Sequence, residues 1–237
     1  MVWKLHQYVM LLLYLTMDVG LLKEDEFNQE IFMAKTNIPK GKLVRKFGEN
    51  IFGNAKFDDL LNKKPYTPGQ HGPNRRRRLS NYGIQLREKQ KIKAMYGVLE
   101  RQFRNYFKKA DKMKGETGTN LLTLLERRLD NVVYRLGFAS TRAQARQMVS
   151  HAHFLVNNRK CNYPSASLNP GDIVQVRDKS KKIDMIMESM KRIKGDIGLP
   201  WLELDKAKMT GTFLSIPDRE DMALTVNEQL VVELYSK

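Results

Sequence analysis

The feature that most limits how this chain can fold is an apolar stripe across residues 121–136. Leu121, Leu122, Leu125, Leu129, Val132, Val133 and Leu136 recur at three- and four-residue intervals, the period of an amphipathic helix. At about 100° per residue, Arg128 and Arg135 fall together on one edge of that stripe. Gly137 stands where a C-cap glycine belongs. After a short link, Thr141 can cap a second helix, with Gln144 placed to complete a capping box. Ala145, Met148 and Val149 face inward on this helix, and Arg142 and Arg146 project from a common face one turn apart. The first-turn N–H groups beside Arg142 already favour a phosphate.

A small sheet should follow. Phe154-Leu155-Val156 reads as a strand, Asn157-Asn158 as a tight turn and Arg159-Lys160-Cys161 as the return. Asparagine tolerates the left-handed backbone that such a turn needs. Pro170-Gly171-Asp172 makes a further turn before the strand Ile173-Val174-Gln175-Val176-Arg177. The expected class is α+β, with two short helices packed on a small, mainly antiparallel sheet. Arginines gather where the helices meet the hairpin, an arrangement suited to a folded RNA backbone.

Charge points the same way. The 237 residues carry 42 Lys+Arg against 26 Asp+Glu, a formal net charge of +16. Such an excess attracts polyanions. Residues 1–32 do not share it, since Lys4 and Lys23 face Asp18, Glu24, Asp25, Glu26 and Glu30. That stretch holds one apolar run, Tyr8 to Leu15, far shorter than the ~20 residues that span a bilayer. No small-residue cleavage site follows it. The expectation is that residues 1–32 are a disordered extension or stem from a mis-assigned initiation codon, with Met33-Ala34-Lys35 as the start of the functional fold. No membrane partner is expected. The single cysteine, Cys161, excludes an internal disulfide and a Cys-rich zinc site.

Residues 34–80 are rich in Gly, Pro and Lys, with few periodic apolar positions, and read as loop. Pro65 to Pro73 is turn-dense and runs into Arg75, Arg76, Arg77 and Arg78. The rigid loop fixes where those four charges point, which favours phosphate as their partner. From Tyr82 to Lys114 the chain reads as helix. Tyr96, Leu99, Phe103, Tyr106 and Phe107 recur at helical spacing as core, and Lys89, Lys91, Arg101, Arg104, Lys108 and Lys109 lie between and beside them. Gly115 to Gly118 breaks the pattern.

The run Arg128-Leu129-Asp130, Gly137, Thr141-Arg142, Ala145-Arg146, Val149, Val156-Asn157, Pro164-Ser165 and Gly171-Asp172 resembles the S-four RNA-binding domain. Its flanks narrow the resemblance. Pro68-Gly69-Gln70-His71-Gly72, residues 82–91, Leu99-Glu100-Arg101-Gln102-Phe103-Arg104, Trp201-Leu202-Glu203, Gly211-Thr212-Phe213 and residues 231–237 resemble the bacterial and organellar small-subunit ribosomal protein S-four family. The resemblance spans residues 33–237. It implies a basic, mostly helical rRNA-binding region over 33–126, the S-four domain over 127–190 and a segment over 191–237 that completes the fold.

The family's role then implies direct, early binding to small-subunit ribosomal RNA, nucleation of assembly of the subunit's body, and an influence on decoding accuracy. Implied partners are ribosomal protein S-five, other small-subunit proteins and mRNA near its entry channel, with no small-molecule substrate and no cofactor. The implied location is the cytoplasm, on the ribosome, or an organellar stroma or matrix if the chain is organelle-encoded. The expected RNA contacts are Gln70, His71, Gly72 and Arg75 to Arg78 in the loop, and Lys89, Lys91, Arg101 and Arg104 on the helices. In the domain they are Arg127, Arg128, Arg142, Arg146, His151, Asn157 and Arg159. Arg142→Ala and Arg146→Ala should each weaken RNA binding by ~1–2 kcal/mol and leave stability nearly unchanged. Some family members hold zinc with four N-terminal cysteines, which this chain lacks. Its turn is Asn157-Asn158 where the family usually has Asn-Gly.

No catalytic constellation is present. His151 and His153 could lie on one side of a strand as metal ligands, but no carboxylate or thiol accompanies them. A pseudouridine synthase or a tyrosyl-tRNA synthetase would need a further domain that the chain has no room for. The competing function is that of an RNA-binding translational repressor acting off the ribosome.

Overall fold

The computed structural model describes residues 38–74, 78–193, 198–222 and 224–236. The expectations for residues 1–32 and for Arg75, Arg76 and Arg77 lie outside them. Two short helices open the described chain where the sequence reads as loop. They are α1 (Lys40–Phe47) and α2 (Ala55–Lys63). Gly48 ends α1 in the left-handed region, its N–H donating to the Val44 carbonyl at 2.8 Å. The Asn54 side chain caps α2 by accepting from the Lys56 N–H. Only Val44 and Phe47 of these two helices are fully buried, so the apolar period is too sparse to register.

The helix expected over residues 82–114 is two helices, α3 (Asn81–Tyr96) and α4 (Glu100–Asp111). Gly97, at φ 63°, turns the chain between them. Its N–H and that of Val98 donate to the Ala94 and Lys93 carbonyls, a glycine-closed helix end. Tyr96, Phe103 and Phe107 are buried and Tyr106 packs beside them. The aromatic stripe is core, as its spacing suggests.

The long stripe also divides. α5 (Thr117–Glu126) and α6 (Leu129–Arg135) are separate helices. Arg128 leaves helical geometry with ψ 137° and forms an isolated bridge to Ser167. The Leu129 N–H donates to Ala166 and the Leu168 N–H to Arg127. Leu121, Leu122 and Leu125 therefore enter one core, with Val44, Ile92, Tyr96, Phe103 and Phe107. Leu129, Val132, Val133 and Leu136 enter another, with Val149, Phe154, Val174 and Trp201. A two-residue step leaves the helical spacing intact, so the sequence pattern cannot reveal it.

α7 (Arg142–Ser150) begins at Thr141, whose hydroxyl accepts from the Gln144 N–H at 3.2 Å. Gln144 reaches back one residue further than a capping box requires, accepting from the N–H and hydroxyl of Ser140. β1 (Phe154–Val156) and β2 (Arg159–Lys160) form the hairpin, with Asn157 at φ 49° and Asn158 at φ 62°. Both turn residues are left-handed, as a two-residue type I′ hairpin demands. β3 (Ile173–Val176), β4 (Leu202–Asp205) and β5 (Thr210–Phe213) complete an antiparallel sheet of order β2-β1-β3-β5-β4.

The C-terminal segment serves both cores. β4 and β5 extend the sheet, after α8 (Asp184–Lys191). The chain then returns to the helical part as α9 (Glu228–Tyr235), which buries Val231 against it. The Tyr235 ring stacks on Phe107 at 4.4 Å. Gly118 permits the approach, since a Cβ there would lie 2.7 Å from Glu228 Cγ.

Candidate nucleic-acid interface

Where the two cores meet, the chain places a polar seam. Glu126, fully buried, accepts from Arg135 Nη2 at 2.8 Å, from the Tyr96 hydroxyl, and from Asn131. Burial pushes the Glu126 carboxyl upward, but the Arg135 guanidinium and these donors outweigh it and hold it below the usual carboxylate range. Burial and the Glu126 charge together drive the Tyr96 hydroxyl well above its ordinary value. A buried carboxylate this fully bonded fixes geometry rather than supplying an acid or base.

Asp130 organises the second half of the seam. Arg128 donates to it through Nε at 3.0 Å and Nη2 at 2.6 Å. Its third nitrogen, Nη1, donates to the Tyr106 hydroxyl at 2.7 Å. Arg146 donates to the same carboxylate through Nε at 3.0 Å, and its Nη1 donates to the Gly97 carbonyl at 2.6 Å. Arg128 is only 2% exposed. Both residues, expected as RNA contacts, are committed within the fold. Arg128 is enclosed, and Arg146 has its fork turned onto α3 and α6. Each ties the sheet-bearing half to the helical half, so Arg146→Ala must cost stability, contrary to expectation.

Arg142 differs from its neighbours. Its Nε donates to Asn131 Oδ1 at 2.8 Å. Its guanidinium lies 4.5 Å from the Tyr134 ring centroid and 5.2 Å from that of Tyr96. Among the described residues its Nη1 and Nη2 groups have no acceptor. Arg142 is half-buried, so a planar fork is held by two aromatic faces with its outer edge uncommitted. That is the preorganised state in which arginine binds a phosphate.

The remaining expected contacts separate into two sets. Arg101 and Arg104 lie exposed on α4, joined there by Lys108 and Lys109. Arg159 is exposed on β2, and Gln70, His71 and Arg78 are exposed in the loop before α3. In contrast, Lys89 and Lys91 are 8% and 3% exposed. Lys89 pairs with Glu100 at 2.6 Å and lies 5.6 Å from the Tyr235 ring, while Lys91 pairs with Glu49 and donates to the Thr225 carbonyl. Both bind the helices to the returning C-terminal segment, where the sequence reading expected RNA contacts. Arg127 is similarly tied, donating to the Leu168 carbonyl at 2.8 Å and to Asn169 at 2.6 Å.

Gly72 is buried, and a Cβ there would sit 1.9 Å from the Thr67 carbonyl oxygen. It shapes the loop and offers no surface. The loop is also held by Arg45, which donates to the Tyr66 and Thr67 carbonyls and stacks on the Tyr66 ring at 4.8 Å. Asn157 uses its side chain to join the hairpin to β3, accepting from the Ile173 N–H and donating to Asp172. His151 is exposed with its ring 6.0 Å from that of His153, whose Nδ1 lies 2.9 Å from Ser180 Oγ. Burial, then His151 and Arg177, lower the His153 value. No three potential metal ligands converge among the described residues.

The sequence reading missed Arg45, Asn131 and Tyr134. No charge run or periodicity marks them. Tyr134 and Asn131 become legible only once Arg142 is seen to fold back over α6.

This joining of a helical part to a two-helix sheet module has its counterpart in known families. Residues 35–126 match the model for the ribosomal protein S4/S9 N-terminal domain, and residues 127–174 match the S4 domain. The two matches meet at the Glu126–Arg127 step, where the seam lies. The class is thus an S4-domain protein of the ribosomal type. Small ribosomal subunit protein uS4 of Hahella chejuensis is 54% identical over 208 residues, covering 86% of this chain and all of the relative. The protein of that name from Syntrophobacter fumaroxidans is 60% identical over 177 residues, covering 75% of this chain and 85% of the relative. That of Parabacteroides distasonis is 53% identical over 205 residues, covering 86% and 100%. The chain belongs to the uS4 family of small-subunit ribosomal proteins. That family consists of structural components of the ribosome, not enzymes. Among the described residues no helix is long and apolar enough to cross a membrane.

Proposed function

We propose that this chain is a structural constituent of the small ribosomal subunit that binds the subunit's ribosomal RNA directly. The shared name of its relatives supports the subunit. The uncommitted outer edge of Arg142, held between Tyr134 and Tyr96, carries the RNA reading. The exposed cations of α4 and Arg159 add to the positive surface available to RNA. In this reading Arg128, Arg146, Lys89 and Lys91 shape the interface from within, and Arg101, Arg104, Arg142, Arg159, Gln70, His71 and Arg78 touch RNA.

Binding is direct and early, and it nucleates assembly of the subunit's body and bears on decoding accuracy. Residues 33–126 and 127–190 act as two RNA-binding regions, and 191–237 locks them together. Ribosomal protein S-five, other small-subunit proteins and mRNA at its entry are the remaining partners, and the ribosome in the cytoplasm or an organelle is the working place. Sedimentation of cell extract through a sucrose gradient tests this. The protein should run with small subunits, in amounts near those of other small-subunit proteins. Its recovery mainly from ribosome-free fractions would overturn the proposal.

A further inference from the structure

α4 carries a second uncommitted surface, apart from Arg142. Gln102, Asn105, Tyr106 and Lys109 line one side of an open groove and Ser165 the other. The four helix residues follow at helical spacing, so one face supplies them all. The groove measures about 250 Å3, smaller than the ~300–1,000 Å3 clefts that enclose drug-sized ligands. A depression of that size suits a single flat ring.

The wall is rigidly built. The Tyr106 hydroxyl accepts from Arg128 at 2.7 Å, and that guanidinium lies 5.5 Å from the Tyr106 ring centroid. Arg128 is itself enclosed and clamped by Asp130. The buried ion pair thus fixes an aromatic surface at the groove. The other groups are uncommitted, for Gln102, Asn105, Lys109 and Ser165 make no side-chain hydrogen bond among the described residues.

The chemistry selects the ligand. Each carboxamide offers both donors and an acceptor, which complement a base edge. The half-buried Tyr106 ring lines the groove as an apolar wall, and Lys109, with Lys108 and Arg104 exposed nearby on α4, offers charge to phosphate. In an RNA duplex the Watson–Crick edges are paired and the ring faces stacked, whereas a nucleotide out of the stack presents both. We infer that this groove takes one unpaired RNA nucleotide, its base against Tyr106 and its phosphate toward Lys109. The inference rests on the RNA-binding reading above and adds a preference for unpaired structure.

The test compares two labelled RNA hairpins of equal length, one fully paired and one with a single-nucleotide bulge, by fluorescence anisotropy with the full chain. The bulged hairpin should bind at least about fivefold tighter, the lower end of what one base–aromatic stack supplies. Gln102→Ala combined with Asn105→Ala removes the base-edge contacts at exposed positions where alanine favours helix, and should bring that ratio below about twofold. Asn105→Asp, which replaces both amide N–H donors with a charged acceptor, should also lower it. Equal binding of the two hairpins by the unsubstituted chain, or a ratio kept by both variants, would overturn the groove assignment alone. Binding of neither hairpin would overturn the RNA-binding reading, and the groove with it.

Discussion

Arg128 and Arg142 lie in the same module, near the same seam, and do opposite things. Arg128 is enclosed, with all three guanidinium nitrogens donating to Asp130 and Tyr106. Arg142 anchors one nitrogen on Asn131 and keeps its outer edge open. The difference is made by a single carboxylate. Asp130 sits inside the seam and draws in Arg128 and Arg146, and Arg142, which it does not reach, is left to the tyrosine faces. In a basic RNA-binding protein, then, an arginine's identity says little about its role. The acid beside it decides whether it builds the interface or forms it.

The largest expected effect comes from breaking the enclosed side. Arg128→Ala strands Asp130 in the seam and should cost about 3–5 kcal/mol of stability, read by urea or thermal unfolding. Arg146→Ala removes a partly exposed second partner of Asp130 and a helix-end contact at Gly97, and should cost about 1–3 kcal/mol by the same measurement. Arg142→Ala should instead weaken binding to small-subunit ribosomal RNA by ~1–2 kcal/mol, with a smaller loss of stability. Arg142→Lys should recover little of that affinity, because an ammonium keeps the charge and loses the planar fork.

Acid should loosen the seam. Glu126 and Glu100 are both held below the usual carboxylate range, Glu100 at about 2. Burial raises each, but arginine in one case and Lys89 with Lys93 in the other outweigh it. In the unfolded chain such groups titrate near ~4.3. Between that value and the folded one the unfolded state binds more protons, so stability falls as pH falls. The carboxylate contribution should be level above about pH 5 and decline toward acid, with His153, held below its ordinary value, adding a small decline that begins below about pH 6.5. Glu100→Gln should flatten only a small part of that decline, since the Glu100 side chain is 46% exposed and solvent screens its pairs. The smallest effect belongs to the open surface. Arg101→Ala or Arg104→Ala should change stability by less than about 0.5 kcal/mol and reduce the salt dependence of RNA affinity by roughly one counterion each.

Local patterns in the sequence foretold the α+β class, the Thr141 cap, the left-handed Asn157-Asn158 turn and the packed aromatic stripe. Each depends on residues close together in the chain. The break between α5 and α6 was hidden because Leu125 and Leu129 keep helical spacing while belonging to different cores. The helices α1 and α2 were hidden by having too few buried residues. The roles of Arg128, Lys89 and Lys91 depend on partners across the fold, such as Tyr106, Tyr235 and Thr225. No reading along the chain brings those together, so a count of positive charge overstates the binding surface.

The comparison between Arg128 and Arg142 is tested most directly by measuring unfolding and RNA binding in parallel on Arg128→Ala and Arg142→Ala, with small-subunit ribosomal RNA as the probe. The account predicts that Arg128→Ala loses most in stability, and that Arg142→Ala loses most in affinity while still unfolding cooperatively. Native stability in Arg128→Ala, or unfolding without an affinity defect in Arg142→Ala, would contradict it.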